Sequence, residues 1–341
     1  MQAFAVTHSA CMTSTSENRA QQSLRNPREV LDSIPELLGF RPRESLCLLW
    51  LSNGFVRLVQ RLDIRDDSCP DSLSDWAADV VWAGRHARAD SALVIWISDS
   101  DIDGQLIGAV LRELREARID VPDCIVTDGD GYFTSSLTGA QRWEFAPSPS
   151  WHLPEREALG YEADPDADIA PMIGPLDVGD EDAILAYLLG KGQELVVDER
   201  VQGALVLAAL ANSGFRDGVL WWVTEEPQIR TMVRDRLTAL LPRVQPGFGA
   251  DVAAVLAVAH WLDGDGARAS MAVERGSAED PRHRLIYLLG VALYSGLPPH
   301  LWREATADLT FQGCRSSSGP IERIAGTAAR APHRSRWGAR R

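Results

Sequence analysis

The sequence predicts two folds in series: an α/β domain with a mixed sheet and crossover helices, then an all-helical domain containing a tetratricopeptide-like hairpin. Three observations predict it. Between Leu46 and Thr127, apolar or alternating runs of strand length take turns with stretches of helical period, the pattern of a layered α/β domain. Past Asp180 the periodicity is helical throughout. Between them, Ala146 to Gly179 holds six prolines, and every ionisable side chain from Glu162 to Asp182 is acidic, which reads as a connection. The expected organisation is a disordered leader (1–25), an α/β domain (26–146), an acidic Pro-rich linker (147–179), a helical domain (180–309) and a disordered basic tail (310–341).

The leader is rich in Ser, Thr, Asn and Gln without periodicity. Structure starts at Asn26-Pro27, where Asn caps and Pro suits the first helical position, and Val30, Ile34, Leu37 and Leu38 recur at helical spacing. Pro35 is expected to shorten or kink this helix. Leu46 to Leu51 and Phe55 to Ile64 then form two antiparallel strands, because Asn53-Gly54 supplies the positive φ angles of a tight hairpin. Leu73, Trp76, Ala77, Val80 and Val81 mark one helical face, Leu93 to Ile97 a short buried strand, and Leu106, Ile107, Val110, Leu111 and Leu114 a second amphipathic helix before the strand Val121 to Thr127. In the second half, helices are expected over Asp180–Leu189, Asp198–Asn212, Pro227–Leu241, Gly249–Leu262, Ala267–Arg275 and Pro281–Tyr294. Ala269, Val273, Gly276 and Pro281 stand at the offsets used by the second helix of a tetratricopeptide repeat, with Gly264-Asp265-Gly266 as its turn.

Composition narrows the function. A formal charge of −14 argues against a surface built as a whole to bind nucleic acid or an anionic membrane. No apolar run reaches the ~18 residues of a membrane span, and the first residues lack the charged start of a secretory signal. Five cysteines cannot all pair within the chain and show no zinc-type spacing, so reduced thiols in a cytoplasm are expected.

Leu37-Leu38-Gly39-Phe40-Arg41-Pro42 with Glu44-Ser45-Leu46, Asp130-Gly131-Tyr132, Trp261-Leu262-Asp263-Gly264-Asp265-Gly266 and Gly296-Leu297-Pro298-Pro299 occur in that order. The ordered set resembles an uncharacterised, mainly actinobacterial family, number four-one-nine-two among the domains of unknown function, over most of Asn26 to Leu309. The resemblance implies a sheet-forming N-terminal half and, in many members, a cysteine cluster after the Asp-Gly-Tyr/Trp turn. Thr134 to Ala146 contains none, so no metal or redox role carries over. The family supplies no activity.

The most suggestive chemical constellation is Asp99-Ser100-Asp101-Ile102-Asp103-Gly104, directly after a strand, where ligands of open α/β sheets collect and alternate carboxylates can converge on a hard cation. The competing and favoured reading has Asp101 or Asp103 capping the following helix. No metal site is therefore favoured, with Asp99, Asp101 and Asp103 as its weak candidates, and no cofactor is expected. Nucleophile elbow, zincin, Walker and dinucleotide motifs do not occur; His260 is read as a packed helix residue, His86 as a surface one, and at least one of Trp221 and Trp222 as core. From Arg315 onward, seven arginines, Arg334, Arg336, Arg340 and Arg341 among them, stand against one acid, Glu322, a net charge of about +6. Such a tail can attract nucleic acid weakly and without sequence preference, or fold back on the acidic Glu162–Asp182 stretch. The functional expectation is a non-catalytic cytoplasmic interaction or regulatory protein using its helical domain to hold a protein partner. The alternatives are a metal-dependent enzyme or ligand binder at Asp99–Asp103, and nucleic-acid association through the tail.

Overall fold

A computed structural model describes residues 4–6, 22–24, 26–64, 70–135, 142–155, 159, 161–172, 174, 176–192, 197–294 and 296–316. The chain divides into two compact units, the first running through Leu159 with a short return at residues 295–297, the second taking the remainder. A mixed sheet fills the first half and helices most of the second.

In the first unit the strands are β1 (Phe4–Val6), β2 (Gln22–Leu24), β3 (Ser45–Ser52), β4 (Phe55–Asp63), β5 (Ser91–Ile97), β6 (Asp120–Thr127), β7 (Gly131–Thr134) and β8 (Trp143–Glu144). Their order is β2-β1-β4-β3-β5-β6-β7-β8. β3 and β4 form the hairpin that Asn53 (φ 53°) and Gly54 (φ 77°) turn. β5 and β6 are parallel and joined through helix α3 (Gly104–Glu116). Leu46, Leu48 and Trp50 of β3, with Ala92, Val94 and Trp96 of β5, face α2 (Pro70–His86) and α3. Their alternate partners Cys47, Leu49, Leu93 and Ile95 are buried too. Burial on both faces explains why β3 reads as a continuous apolar run. β1 and β2 fall inside the stretch expected to be a disordered leader, whose remaining residues lie outside the described ones.

Helix α1 (Pro27–Leu38) starts as expected, Asn26 accepting the Glu29 amide at 2.9 Å. Pro35 does not shorten it. Proline at this position leaves the carbonyl four residues back without its helical donor, and the indole Nε1–H of buried Trp151 donates to that carbonyl, Leu31 O, at 3.2 Å. Trp151 sits in a 3-10 turn, Pro149–His152, so this part of the Pro-rich stretch is built into the first unit. Tyr161 and Ile169, farther along the same stretch, are buried in the second, where Ile169 bridges to Val244.

The second unit comprises α4 (Val178–Leu188), α5 (Glu199–Leu210), α6 (Ser213–Glu225), α7 (Pro227–Leu240), α8 (Ala250–Leu262), α9 (Gly266–Glu279), α10 (Arg284–Tyr294), α11 (His300–Thr306) and α12 (Phe311–Ser316). Every residue of α8 except Asp251 is buried, and α5, α6, α7, α9 and α10 surround it. α8 and α9 approach closely because Gly276 lacks a side chain: a Cβ there would lie 3.2 Å from Ala253 Cβ and 2.4 Å from Ile286 Cδ1. α6 fills the stretch between the helices expected over Asp198–Asn212 and Pro227–Leu241, to which the sequence assigns no helix. Asn212 caps it, accepting the Gly214 and Phe215 amides, so the Asn-Ser-Gly cluster that reads as a break is a helix start. Trp221 and Trp222 are both only half-buried, because Val219, Leu220 and Val223 occupy the inward face of α6. α12 falls within the segment expected as a disordered tail; residues 317–341 lie outside the described ones. Among the described residues no helix is long and apolar enough to cross a membrane.

Candidate functional site

At the carboxyl ends of β5 and β6, the Ser98 amide donates to Thr127 O at 3.0 Å, and the chain then turns through Asp99–Asp103 into α3. Asp103 is the N-cap, accepting the Gln105 amide at 2.8 Å. Asp99 pairs instead with Arg43 at 2.9 Å, and Arg43 also faces Glu155 at 3.5 Å. Glu44, at φ 40°, accepts the Ser98 hydroxyl at 2.8 Å and the Asp99 amide at 2.9 Å. Asp101 is exposed. The three acids thus take separate environments rather than a shared centre. Among the described residues no three His, Cys, Asp or Glu side chains gather as metal ligands. Replacing Asp103 by Ala is expected to cost about 1 kcal/mol in thermal or urea melts through loss of the cap. Asp101→Ala should stay within about 0.5 kcal/mol of wild type.

A denser polar centre lies in the helical unit, in the last turn of α8 and the turn that follows. The Tyr161 hydroxyl meets His260 Nε2 at 2.5 Å, and Nδ1 faces the Asp265 carboxylate at 3.8 Å. Asp265 also caps α9 through the Arg268 amide at 3.0 Å and pairs with its guanidinium at 2.7 Å. Asp263 accepts from Arg230 at 2.7 Å and from Arg234 at 2.6 Å. The Asp263-Gly264-Asp265-Gly266 turn therefore organises three arginines and a histidine. His260 is packed, as its apolar stripe implies, but inside a polar network that the stripe does not reveal. Sequence signals reach i±4, whereas Tyr161 lies 99 residues from His260. A second buried network escapes the sequence for the same reason: Asp251 of α8 accepts from Arg216 of α6 at 2.6 Å and faces His283 at 3.1 Å. Burial pushes the Asp251 carboxyl up, but His283 and Arg216 outweigh it and hold it below the usual carboxylate range.

Burial, with Arg234 and Arg268 nearby, pushes the His260 imidazole down to about 4 although Asp265 opposes it, and burial followed by Asp265 pushes the Tyr161 hydroxyl up. The arrangement suits a neutral imidazole whose Nε2 accepts the tyrosine proton and whose Nδ1–H faces the carboxylate. It can hold a proton at Tyr161 and lock residue 161 onto α8. Folded His260 titrates at about 4 against an ordinary 6.5. Between those values the unfolded chain binds more protons, so stability should fall by about 3 kcal/mol as pH drops from 6.5 toward 4. Urea melts across that range should show a shallower slope for His260→Gln; identical slopes would contradict the assignment.

His86 is exposed and rests on Trp82, and Lys191 sits 3.4 Å above the Trp222 ring. Arg334, Arg336, Arg340 and Arg341 lie outside the described residues.

No curated protein and no solved structure matches the chain. The family model described as Domain of unknown function (DUF4192) matches residues 27–170 and 182–300, covering strands β3 to β8 and most of the helices from α1 to α10. Over that length, with the ordered motifs that shape the α1 end, the β7 turn and the α8–α9 turn, the chain belongs to the DUF4192 family.

Proposed function

We propose that this is a non-catalytic, cytoplasmic interaction or regulatory protein whose helical unit binds a protein partner. One observation carries the reading: of nine exposed large apolar side chains among the described residues, seven (Met172, Val197, Val201, Met232, Phe248, Tyr287 and Leu301) belong to the helical unit. Three of them flank α5. Val201 lies on it, Val197 immediately precedes its cap Asp198, and the Met172 amide donates a hydrogen bond to its Ala204 O at 3.3 Å. Apolar side chains gathered beside one helix are what a protein partner covers. The α8–α9 pair supports the reading as a tetratricopeptide-like hairpin, with small residues Ala269, Ala272 and Gly276 on its inner side. Because α8 is enclosed all round, the binding surface falls on peripheral helices rather than in a repeat groove.

The test uses the full chain and its Met172→Glu/Val201→Glu variant as baits in lysate of the native host. A protein retained reproducibly by the first and lost from the second is the expected result. Retention of nucleic acid or nucleotide with no protein would overturn the reading.

A further inference from the structure

Helix α12, the last among the described residues, lies beyond the family match, which ends at residue 300, yet it is seated on α6 in a fitted groove. The groove floor is made of missing side chains: Gly214 and Gly218 stand four apart on one face of α6. A Cβ at Gly218 would lie 3.0 Å from Arg315 Cδ and 3.2 Å from Phe311 Cε2, and one at Gly214 would lie 2.8 Å from Arg315 O. One end is aromatic, where the Phe311 ring sits 6.0 Å from both Trp221 and Trp222 and Trp221 Nε1–H donates to Leu309 O at 3.1 Å. The other end is acidic, where Arg315 pairs with Glu181 of α4 at 2.9 Å, approaches Asp182 at 3.8 Å and lies 5.4 Å from the Phe215 ring. Between them Cys314 is fully buried. The groove therefore reads an aromatic residue and an arginine spaced i, i+4 on a short helix.

Three features make this contact reversible. A helix of six residues cannot hold itself together, so α12 is helical only while docked. Arg315 Nη1 is buried without a hydrogen-bond partner, so the fit is incomplete, and a buried unmade bond weakens docking. The chain beyond residue 316 carries six arginines against Glu322, so any acidic surface that takes hold of it pulls on the segment directly attached.

We propose that the α6 groove is a docking site for a short helix bearing an aromatic residue and an arginine four positions apart, and that α12 is a displaceable strap that fills it in cis. This deepens the interaction reading above and rests on it for the existence of a competing partner.

Cys314 reports opening, since its thiol reacts only when the strap lifts. In the full chain, thiol labelling mapped by mass spectrometry should modify Cys314 well before the amides of α8, which open only with the whole unit, exchange. Arg315→Ala should speed that labelling about tenfold or more, the loss of a charge-assisted contact, with α8 exchange unchanged. A synthetic peptide covering Leu309–Ser316, with Ser in place of Cys314, should bind the full-length Phe311→Ala chain and, by occupying the groove and holding the strap out of it, speed its Cys314 labelling; the same peptide lacking its Phe or Arg should do neither. Wild-type labelling of Cys314 no faster than α8 exchange would overturn the strap whatever the variants do. Rapid labelling with no peptide binding to the opened chain would overturn the docking site. Either failure is distinct from failure of the interaction reading, which the bait experiment decides at α5.

Discussion

Glu279→Ala should destabilise the helical unit by about 3–5 kcal/mol, the cost of stripping one partner from a buried ion pair. Glu279 and Arg275 sit one turn apart on α9, 2.6 Å from each other, with side chains only 5% and 7% exposed. Arg275 also reaches the carbonyls of Tyr161 and Val244, both at 3.4 Å, and Glu279 accepts the Gly247 amide. Removing the carboxylate leaves a guanidinium in a site with little water and frees a backbone donor at once. Removing both charges avoids the first penalty, so Arg275→Met/Glu279→Leu should lose less than Glu279→Ala alone. Glu279→Gln, which keeps an acceptor for Gly247, should fall between. Because the chain has two units, the measurement is amide exchange in α8 and α9 alongside denaturant melts rather than one global transition. A single variant as stable as wild type would show that the pair carries no net load.

In the sheet unit, Trp50→Ala should cost about 3–5 kcal/mol. Trp50 is completely buried on β3, its Nε1–H donates to Gln60 at 2.8 Å, and its ring lies against α2 at Gly84. A Cβ at Gly84 would stand 2.2 Å from the ring, closer than any real contact. Only glycine lets helix and strand approach around so large a side chain. Gly84→Ala is therefore expected to cost about 1–3 kcal/mol through overpacking. The two changes should couple: in a Trp50→Leu background Gly84→Ala should cost markedly less, because the atoms it collides with are gone. Additive effects in that cycle would mean the helix has simply moved away.

Residues acting within one turn of themselves were legible from the chain alone. Asn53-Gly54 requires a hairpin because both positions demand positive φ. Asn26 and Asp103 cap because a short polar side chain ahead of an apolar period accepts from first-turn helix amides that have no backbone acceptor within the helix. The period of the buried residues separated a sheet-bearing half from a helical one. Among the acids of the Asp99–Asp103 loop, the cap was readable while the partner of Asp99 was not, since Arg43 lies 56 residues away.

Tertiary structure decided everything that depends on which distant surfaces meet. Pro35 stays helical because Trp151 donates to the carbonyl it strands, and no feature of α1 announces that donor. α6 was obscured by Gly214 and Gly218, which weaken its local helical signal. Those same glycines are favourable once a second helix lies against them, because close approach outweighs propensity. His260 shows the limit most plainly: its apolar stripe fixes that it is buried, and burial is the main cause that keeps it neutral, whereas the groups its two ring nitrogens meet, the Tyr161 hydroxyl and the Asp265 carboxylate, are brought to it only by the folded chain. Sequence patterns encode burial and local geometry, since these repeat with the backbone period; the identity of a buried polar partner has no period to betray it.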